Sequence, residues 1–97
     1  MKTPAISVIM LTYNRETVVS RAVESVLAQT FRGFEFIIVD NGSTDSSGTI
    51  AGEYAARDPR IHVIHRERGN IGSGRNVGLD AARGEYIACY ERGRSDN

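Results

Sequence analysis

The sequence predicts a three-layer α/β/α domain built around a mainly parallel sheet of four strands. Short apolar runs rich in valine and isoleucine alternate with segments of helical periodicity, and this alternation is typical of βαβ units. The apolar runs are nearly continuous, without a polar residue at every second position, which is the pattern of strands covered by helices on both faces. Ligands of such sheets bind outside the carboxyl ends of the strands, close to the point where the strand order reverses.

Each element is predicted from its own pattern. The strands are predicted at residues 5–11, 34–39, 61–64 and 85–90, and the helices at about 16–29, 46–57 and 72–83. In the first helix, apolar residues recur every three or four positions, so they share one face. We expect Ser43, Thr44 or Asp45 to cap the start of the second helix and Gly84 to cap the end of the third.

Composition excludes several classes of protein. The chain has 97 residues, enough for one domain, and twelve basic residues balance twelve acidic ones, so neither nucleic acid nor an anionic membrane surface is expected to bind. The single cysteine, Cys89, argues against a disulfide-stapled secreted protein and favours a reducing, cytoplasmic compartment. The apolar runs are too short to span a membrane, and the first lacks a signal-peptide cleavage site.

The segment after the first strand carries Thr12, Tyr13, Asn14 and Glu16. An aromatic face and an amide at the mouth of the crevice are suited to stacking on a planar base and binding it. The alternative is structural, with Tyr13 covering the sheet edge and Asn14 capping the next helix by accepting from one of its free N–H groups. The segment alone does not decide between these interpretations.

The second segment, residues 40–45, follows the second strand. An ionised carboxylate only accepts hydrogen bonds, so Asp40 is suited to the imide N–H of uracil or to a ribose hydroxyl. Asp-Asn-Gly is also a strong turn sequence. Because Asn41 and Gly42 would serve the turn, and Ser43 or Asp45 the helix cap, we expect Asp40 to be free for a ligand.

The third segment, residues 69–78, reads GNIGSGRNVG. Glycines at a helix N-terminus let backbone N–H groups approach a phosphate, and Arg75 adds a guanidinium suited to a diphosphate. The alternative is that Gly74 and Gly78 permit close packing of the helix on the sheet while Arg75 is solvated.

We expect His62 and His65 to share a face of the third strand and, without a carboxylate or cysteine at ligand spacing, to be structural or partly exposed.

Three segments taken together resemble the N-terminal, nucleotide-sugar-binding part of the family 2 glycosyltransferases, which have the GT-A fold. They are SVIMLTYNRE, QTFRGFEFIIVDNGSTD and RERGNIGSGRNVGLDAARGEYIA. The resemblance spans nearly the whole chain and implies the Rossmann-like half of that fold. It implies that residues 12–16 line the base and ribose pocket, that Asp40 recognises the base with Asn41 in the same site, and that Arg75 approaches the nucleotide.

The sequence departs from the family at the expected metal site. After GEYIA the family continues with an Asp-x-Asp or Asp-Asp pair that holds Mg²⁺ or Mn²⁺ against the diphosphate, whereas this chain continues with CYERGRSDN. Glu91 falls at the first acidic position, but one glutamate beside two arginines is a poor ligand set for a hard cation, so metal binding is doubtful. Either the arginines compensate the diphosphate charge, or residues 91–97 are a disordered or non-native tail, which we favour.

The resemblance implies an inverting glycosyltransferase of cell-wall or polysaccharide biosynthesis. Such an enzyme transfers a sugar from a nucleotide-diphospho-sugar, here a UDP-sugar, to an acceptor hydroxyl. No residue can be assigned as the catalytic base, so we expect residues 1–97, a single truncated domain, to be inactive alone.

Two alternatives stay open at this point. One is a nucleotide-binding or scaffold domain that has lost its metal site and does not catalyse. The other is a nicotinamide-dependent dehydrogenase, which is disfavoured because glycines are lacking after the first strand. Self-association is also expected, since the fourth strand would lie at an exposed edge of the sheet.

Overall fold

The computed structural model of the chain describes residues 4–28, 33–67 and 70–90. Residues 91–97, which include Glu91, therefore lie outside the described residues. Strands and helices alternate in the predicted order. They are β1 (Ile6–Thr12), α1 (Glu16–Leu27), β2 (Phe34–Asn41), α2 (Ser47–Arg57), β3 (Ile61–Arg66), α3 (Ile71–Ala81) and β4 (Tyr86–Tyr90).

The strands of the described residues form one parallel sheet in the order β3-β2-β1-β4. The chain therefore steps from β1 to β2 to β3 in one direction and then crosses to the other side of β1. This reversal places α3 on the face of the sheet opposite α1 and α2, because the two directions of crossover cover different faces. The predicted three-layer α/β/α fold is confirmed.

Each face of the sheet has its own hydrophobic core. On one face, Met10, Phe36 and Ile38 pack with Val19 and Val23 of α1. On the other face, the core consists of Ile9, Ile37 and Val39, with Val77 and Ala82 packed against it from the α3 side. Every residue of β2 is buried, as its continuous hydrophobicity predicts. Burial of each large side chain stabilises the fold by about 1.5–3 kcal/mol.

The glycines of α3 allow the helix to approach the sheet closely. A Cβ on Gly74 would lie 2.8 Å from Leu11 Cδ2, and one on Gly78 would lie 2.6 Å from Ile9 Cγ2. Both distances are shorter than a normal van der Waals contact, so any larger residue would push α3 away. The packing interpretation of Gly74 and Gly78 is therefore confirmed.

Strand β4 differs from the prediction that helices cover both faces of every strand. It pairs with β1 at the edge of the sheet, and Tyr86 and Ile87, whose side chains point to opposite faces, are 65% and 45% exposed. Its hydrophobic sequence indicated burial, but periodicity cannot show what packs against an edge strand. Within residues 4–28, 33–67 and 70–90, no strand pairs with the outer edge of β4, as expected.

Of the two predicted caps, the first is right in part and the second is wrong. The N-cap residue of α2 is Ser46, whose side chain makes no capping hydrogen bond, but Oδ1 of the predicted Asp45 accepts from the Ser47 N–H at the first residue of the helix. Helix α3 ends at Ala81, before Gly84. Gly84 instead lies against β1, where a Cβ would be 2.6 Å from the backbone nitrogen of Ser7. A glycine is needed there because two backbones meet, and its position after a helical pattern suggested a cap.

A buried polar cluster lies at the amino edge of the sheet. Glu35 is 3% exposed, and its Oε2 accepts from the Ser7 hydroxyl and from the Arg83 backbone N–H, each at 2.6 Å. Ser7 Oγ in turn accepts from the Gly84 N–H at 2.7 Å. Burial alone raises the pKa of Glu35, but these hydrogen bonds and the Arg83 guanidinium outweigh it, so the pKa falls below its ordinary value. The cluster fixes the α3–β4 connection to β1 and β2.

None of the described helices is both long enough and apolar enough to cross a membrane.

Candidate binding site at the carboxyl edge of the sheet

Three polar residues stand side by side at the carboxyl ends of β1, β2 and β3. Thr12 pairs with Asp40, and Asp40 pairs with His65. Residues paired in a parallel sheet point to the same face, here the face of α1 and α2. Thr12 and Asp40 are buried, whereas the His65 side chain is 59% exposed. The row therefore runs from the interior of the sheet to its surface.

Asp40 is held by a protein donor on each carboxylate oxygen. Oδ1 accepts from the Ser43 backbone N–H at 3.1 Å, and Oδ2 lies 3.1 Å from His65 Nδ1. An ionised carboxylate only accepts, so His65 is the donor in the second contact. Asp40 thus takes part in the turn, which Asn41 and Gly42 were expected to form without it, and ligand binding by Asp40 stays a prediction. The Asp40 side chain accepts from Ser43, three residues later in the turn, and Gly42 of the same turn has a positive φ of 82°.

A cleft of about 340 Å³ opens beside Asp40. Its wall is formed by the turn after β2, by one side of α2 and by the end of β3. The residues that line it are Asp40, Ser43, Asp45, Gly48, Thr49, Gly52 and His65. Gly48 is essential to its shape, because a Cβ there would overlap Asp40 Oδ2 and come within 3.2 Å of His65 Cε1.

Asn14 joins the loop after β1 to the loop after β2. Its side-chain Oδ1 accepts from the Thr44 N–H at 2.8 Å, the Thr44 hydroxyl at 3.3 Å and the Asp45 N–H at 3.3 Å. Its own N–H donates to Ser43 Oγ at 2.9 Å. Asn14 has a φ of 51°, a left-handed conformation that asparagine tolerates better than most residues. The predicted capping of α1 by this side chain is not what the structure shows, since Asn14 binds the β2–α2 loop.

The first turns of α1 and α2 also bind each other. Asp45 Oδ2 accepts from the Glu16 N–H at 3.2 Å, and Glu16 Oε1 accepts from the Ser46 N–H at 2.8 Å. Asp45 Oδ1 accepts in addition from the Ser47 N–H at 2.9 Å. Burial raises the pKa of Asp45, but the hydrogen bonds from Ser47 and Glu16 lower it by more, so the pKa is below its ordinary value.

Thr12, Tyr13 and Asn41 complete the predicted residues of this edge. The Thr12 side chain is 3% exposed, and its hydroxyl has no hydrogen-bond partner among the residues that the structure describes. Tyr13 is half-buried in the loop that follows Thr12. Asn41 is buried and ends β2 on the α3 face, opposite the side to which Asp40 points. The structure thus brings Thr12, Asp40 and the loop of Tyr13, Asn14 and Glu16 together, with Asn41 on the other face.

Arg75 lies in the α3 layer, in the turn that packs on the carboxyl half of β1 through Gly74. At the start of the helix, Asn70 Oδ1 accepts from the Ser73 N–H at 2.7 Å, which is a regular side-chain N-cap. Arg75 is therefore at the same edge of the sheet as Asp40 but in the opposite helical layer. Ligand contacts of Arg75 and of the α3 N-terminus remain predictions.

Three residues, His62, His65 and Arg66, have contacts that the sequence does not predict. His62 and His65 are three positions apart and lie on opposite faces of β3, so the expected shared face is wrong. His65 has a carboxylate partner in Asp40, which only the strand register shows. Arg66 was not singled out. Its Nη2 donates to Ser73 Oγ at 3.0 Å, while its buried Nη1 has no partner among the described residues.

The metal prediction lies largely outside the described part of the chain. Within residues 4–28, 33–67 and 70–90, no three side chains of histidine, cysteine, aspartate or glutamate are grouped to hold a metal ion. These residues do not by themselves fit the Mg²⁺ or Mn²⁺ of the family. Metal binding at Glu91 stays a prediction.

A family model described as glycosyl transferase family 2 matches residues 7–91. The chain belongs to glycosyl transferase family 2. The resemblance noted in the sequence is thereby confirmed. Among the relatives of this family member is a putative glycosyltransferase, EpsH, of Bacillus subtilis strain 168. It is 49% identical over 91 residues, which are 94% of this chain and 26% of that protein. The chain thus spans about a quarter of the length of that relative.

Two solved structures share the fold of this family 2 chain. S. aureus TarS residues 1–349, in complex with UDP, superposes with a TM-score of 0.81 and 32% identity, covering 89% of this chain and 26% of that one. A mannosyltransferase of Pyrobaculum calidifontis, in complex with GDP-Man and Mn²⁺, gives a TM-score of 0.75 at 23% identity. That match covers 90% of this chain and 27% of the other. The fold is therefore the Rossmann-like half of the GT-A fold.

Proposed function

We propose that this chain is the donor-binding part of an inverting glycosyltransferase that uses a nucleotide-diphospho-sugar, specifically a UDP-sugar. The observation that carries the proposal is the Asp40 carboxylate, 6% exposed and oriented beside a cleft at the carboxyl edge of the sheet. Family membership supports it, as does the UDP complex of the related TarS. We place the activity in cell-wall or polysaccharide biosynthesis on the cytoplasmic side.

The preference for uracil follows from the chemistry of Asp40. A carboxylate only accepts hydrogen bonds, and uracil offers it the N3–H donor between two carbonyl oxygens. Cytosine has an unprotonated N3 in that position, whose lone pair would face the negative charge. We therefore expect UDP to bind and CDP to bind weakly.

The charges of the site indicate how the nucleotide lies. Asp40 and Asp45 both line the cleft, so a diphosphate would be repelled there, whereas a base and ribose would not. The N-terminus of α3 and Arg75 attract negative charge instead. We infer that the base occupies the Asp40 side and that the diphosphate extends toward the α3 side, with Tyr13 in the loop between them.

Catalysis requires a group that the described residues do not provide. In an inverting transfer, a carboxylate removes the proton from the acceptor hydroxyl while the oxygen attacks the anomeric carbon. Asp40 is assigned to the base of the nucleotide, away from the anomeric carbon, whereas Asp45 has both oxygens occupied by N–H donors and a lowered pKa, so neither is suited to act as this catalytic base. We propose that the chain binds the donor and does not transfer sugar alone.

Isothermal titration calorimetry tests the proposal. Purified protein is titrated with UDP, UDP-glucose and CDP, each with and without Mn²⁺, and Asp40→Asn is measured beside the wild type. We expect saturable UDP binding that Asp40→Asn weakens about tenfold or more, because a hydrogen bond to a charged group contributes about 1.5–3 kcal/mol. Binding independent of Mn²⁺ would favour the alternative of a nucleotide-binding domain without catalysis. Absence of UDP binding would contradict both.

A further inference from the structure

We propose that His65 is a positioning residue for nucleotide recognition. It donates from Nδ1 to Asp40 Oδ2 and so holds the carboxylate in the orientation in which it accepts from the base. The inference rests on the proposed function, since it assigns a role in the same donor site.

The contact between the two side chains is built into the sheet. His65 and Asp40 are register partners on β3 and β2, and their polar atoms are 3.1 Å apart. The Asp40 side chain is 8% exposed and the His65 side chain is 59% exposed. The imidazole therefore lies at the surface of the cleft, over a carboxylate that is nearly enclosed.

The carboxylate needs such a partner. The χ2 torsion of aspartate has a broad energy profile, so packing alone does not fix the plane of the carboxylate. In this structure, Ser43 N–H binds one oxygen and His65 binds the other. Among the described residues that line the cleft, His65 is the only one with a nitrogen donor in its side chain. Without this donor, the plane of the Asp40 carboxylate would be held only by the hydrogen bond from the Ser43 N–H.

Helix α2 is shaped to accommodate the pair. Gly48 lies against both side chains, and any Cβ at this position would overlap Asp40 Oδ2. Only glycine at position 48 leaves room for the Asp40 carboxylate in the orientation that contacts His65.

A purely architectural role is less consistent with the sheet. The backbones of β2 and β3 are paired continuously, from Phe36 with Ile61 to Asn41 with Arg66. The register is therefore fixed without a hydrogen bond between the side chains. The effect of His65 should appear in ligand binding more than in stability.

The test compares His65→Ala, His65→Asn and His62→Ala with the wild type. The amide nitrogen of asparagine occupies a position close to that of Nδ1, so His65→Asn is the conservative variant. His62→Ala is the matched control because His62 is on the same strand, half exposed, and on the opposite face of the sheet, where its Nε2 lies 3.8 Å from Glu35 Oε1. Calorimetry gives the Kd for UDP and for CDP, and imidazole ¹⁵N chemical shifts of the nucleotide-free protein give the tautomer.

We expect His65→Ala to raise the Kd for UDP about tenfold, with a smaller effect on CDP, so that the preference for UDP declines. His65→Asn should restore most of the affinity, and His62→Ala should behave as wild type. The ¹⁵N spectrum should show the proton on Nδ1. Unchanged UDP affinity and preference in His65→Ala, or a proton on Nε2 alone, would overturn this inference while leaving the proposed function intact. A wild-type protein that binds no UDP would overturn both.

Discussion

Glu16 and Asp45 cap the starts of each other's helices. The carboxylate of Asp45 accepts from the backbone of Glu16 at the first residue of α1, and the carboxylate of Glu16 accepts from the N-cap residue of α2. Each negative charge also lies at a helix N-terminus, where the helix dipole favours it. The loops after β1 and β2 therefore form one hydrogen-bonded unit, although about thirty residues separate them in sequence.

Asn14→Ala should destabilise this unit. The substitution removes the acceptor of three hydrogen bonds and places alanine at a φ of 51°. We expect the free energy of unfolding, measured with urea, to fall by about 2 kcal/mol. Asn14→Gly separates the two causes, because glycine adopts a positive φ without strain. A glycine variant as stable as the wild type would show that the hydrogen bonds contribute nothing.

Glu35 should make the domain sensitive to acid. Its pKa is lowered in the folded state, so its contribution to stability is fully present above the ordinary pKa of glutamate, about 4.3. It is lost as pH falls through the lower folded value, because protonation then favours the unfolded chain. We expect Glu35→Gln to lower the free energy of unfolding by about 2 kcal/mol at pH 7. Below pH 5 the free energy of unfolding of this variant should fall less steeply than that of the wild type, because the variant has already lost the contribution of the Glu35 carboxylate.

The control for this pH dependence is Glu53→Gln, at an exposed position of α2. Urea unfolding of both variants from pH 3 to pH 7 gives the comparison. If Glu35→Gln and Glu53→Gln followed the same pH profile, the buried cluster of Ser7, Glu35 and Arg83 would not be the source of the acid sensitivity.

Gly48 and Gly52 should respond in opposite directions to the same substitution. Both lie in α2, where alanine is favoured over glycine by about 1 kcal/mol. A Cβ on Gly52 meets no atom within 4 Å, so Gly52→Ala should stabilise the domain by roughly that amount. A Cβ on Gly48 overlaps Asp40, so Gly48→Ala should destabilise it despite the better propensity. Equal gains in urea unfolding would show that the Asp40 side chain moves without cost.

Strand β4 should mediate self-association of this chain. Its outer edge lacks a partner strand among the described residues, and Tyr86 and Ile87 expose apolar surface on its two faces. Sedimentation velocity over a concentration series should show oligomers of the wild type, and Ile87→Lys should shift them to monomers, because a lysine on an edge strand opposes pairing. Ala56→Lys adds the same charge at an exposed position of α2 and should not. A wild type that stays monomeric contradicts the prediction.

Local patterns in the sequence were enough to predict the order and type of every described element. Apolar runs and helical periodicity are local signals, and the termini of the predicted elements lie within about two residues of the observed ones. Asp40 and the loop of Tyr13 could be placed at one edge because parallel strands bring their carboxyl ends together. This inference required only the order of the elements.

Contacts between distant segments could not be predicted in the same way. Glu35 is 28 residues from Ser7 and 48 from Arg83, and its burial depends on the register of β1 with β2. The pairing of Asp40 with His65 depends on the register of β2 with β3, which hydrophobic patterns leave open by two residues. The sequence pattern predicts a helix cap at Gly84, because the close contact of Gly84 with Ser7 exists only in the folded chain.

A titration of ¹⁵N-labelled protein with UDP, followed by amide chemical shifts, tests the central claim most directly. If the cleft beside Asp40 binds the nucleotide, saturable shifts should concentrate in residues 12–16, in residues 40–45 and at His65. The amino edge of the sheet, around Ser7 and Gly84, should be unaffected. Shifts confined to that opposite edge, or none that saturate, would contradict the account.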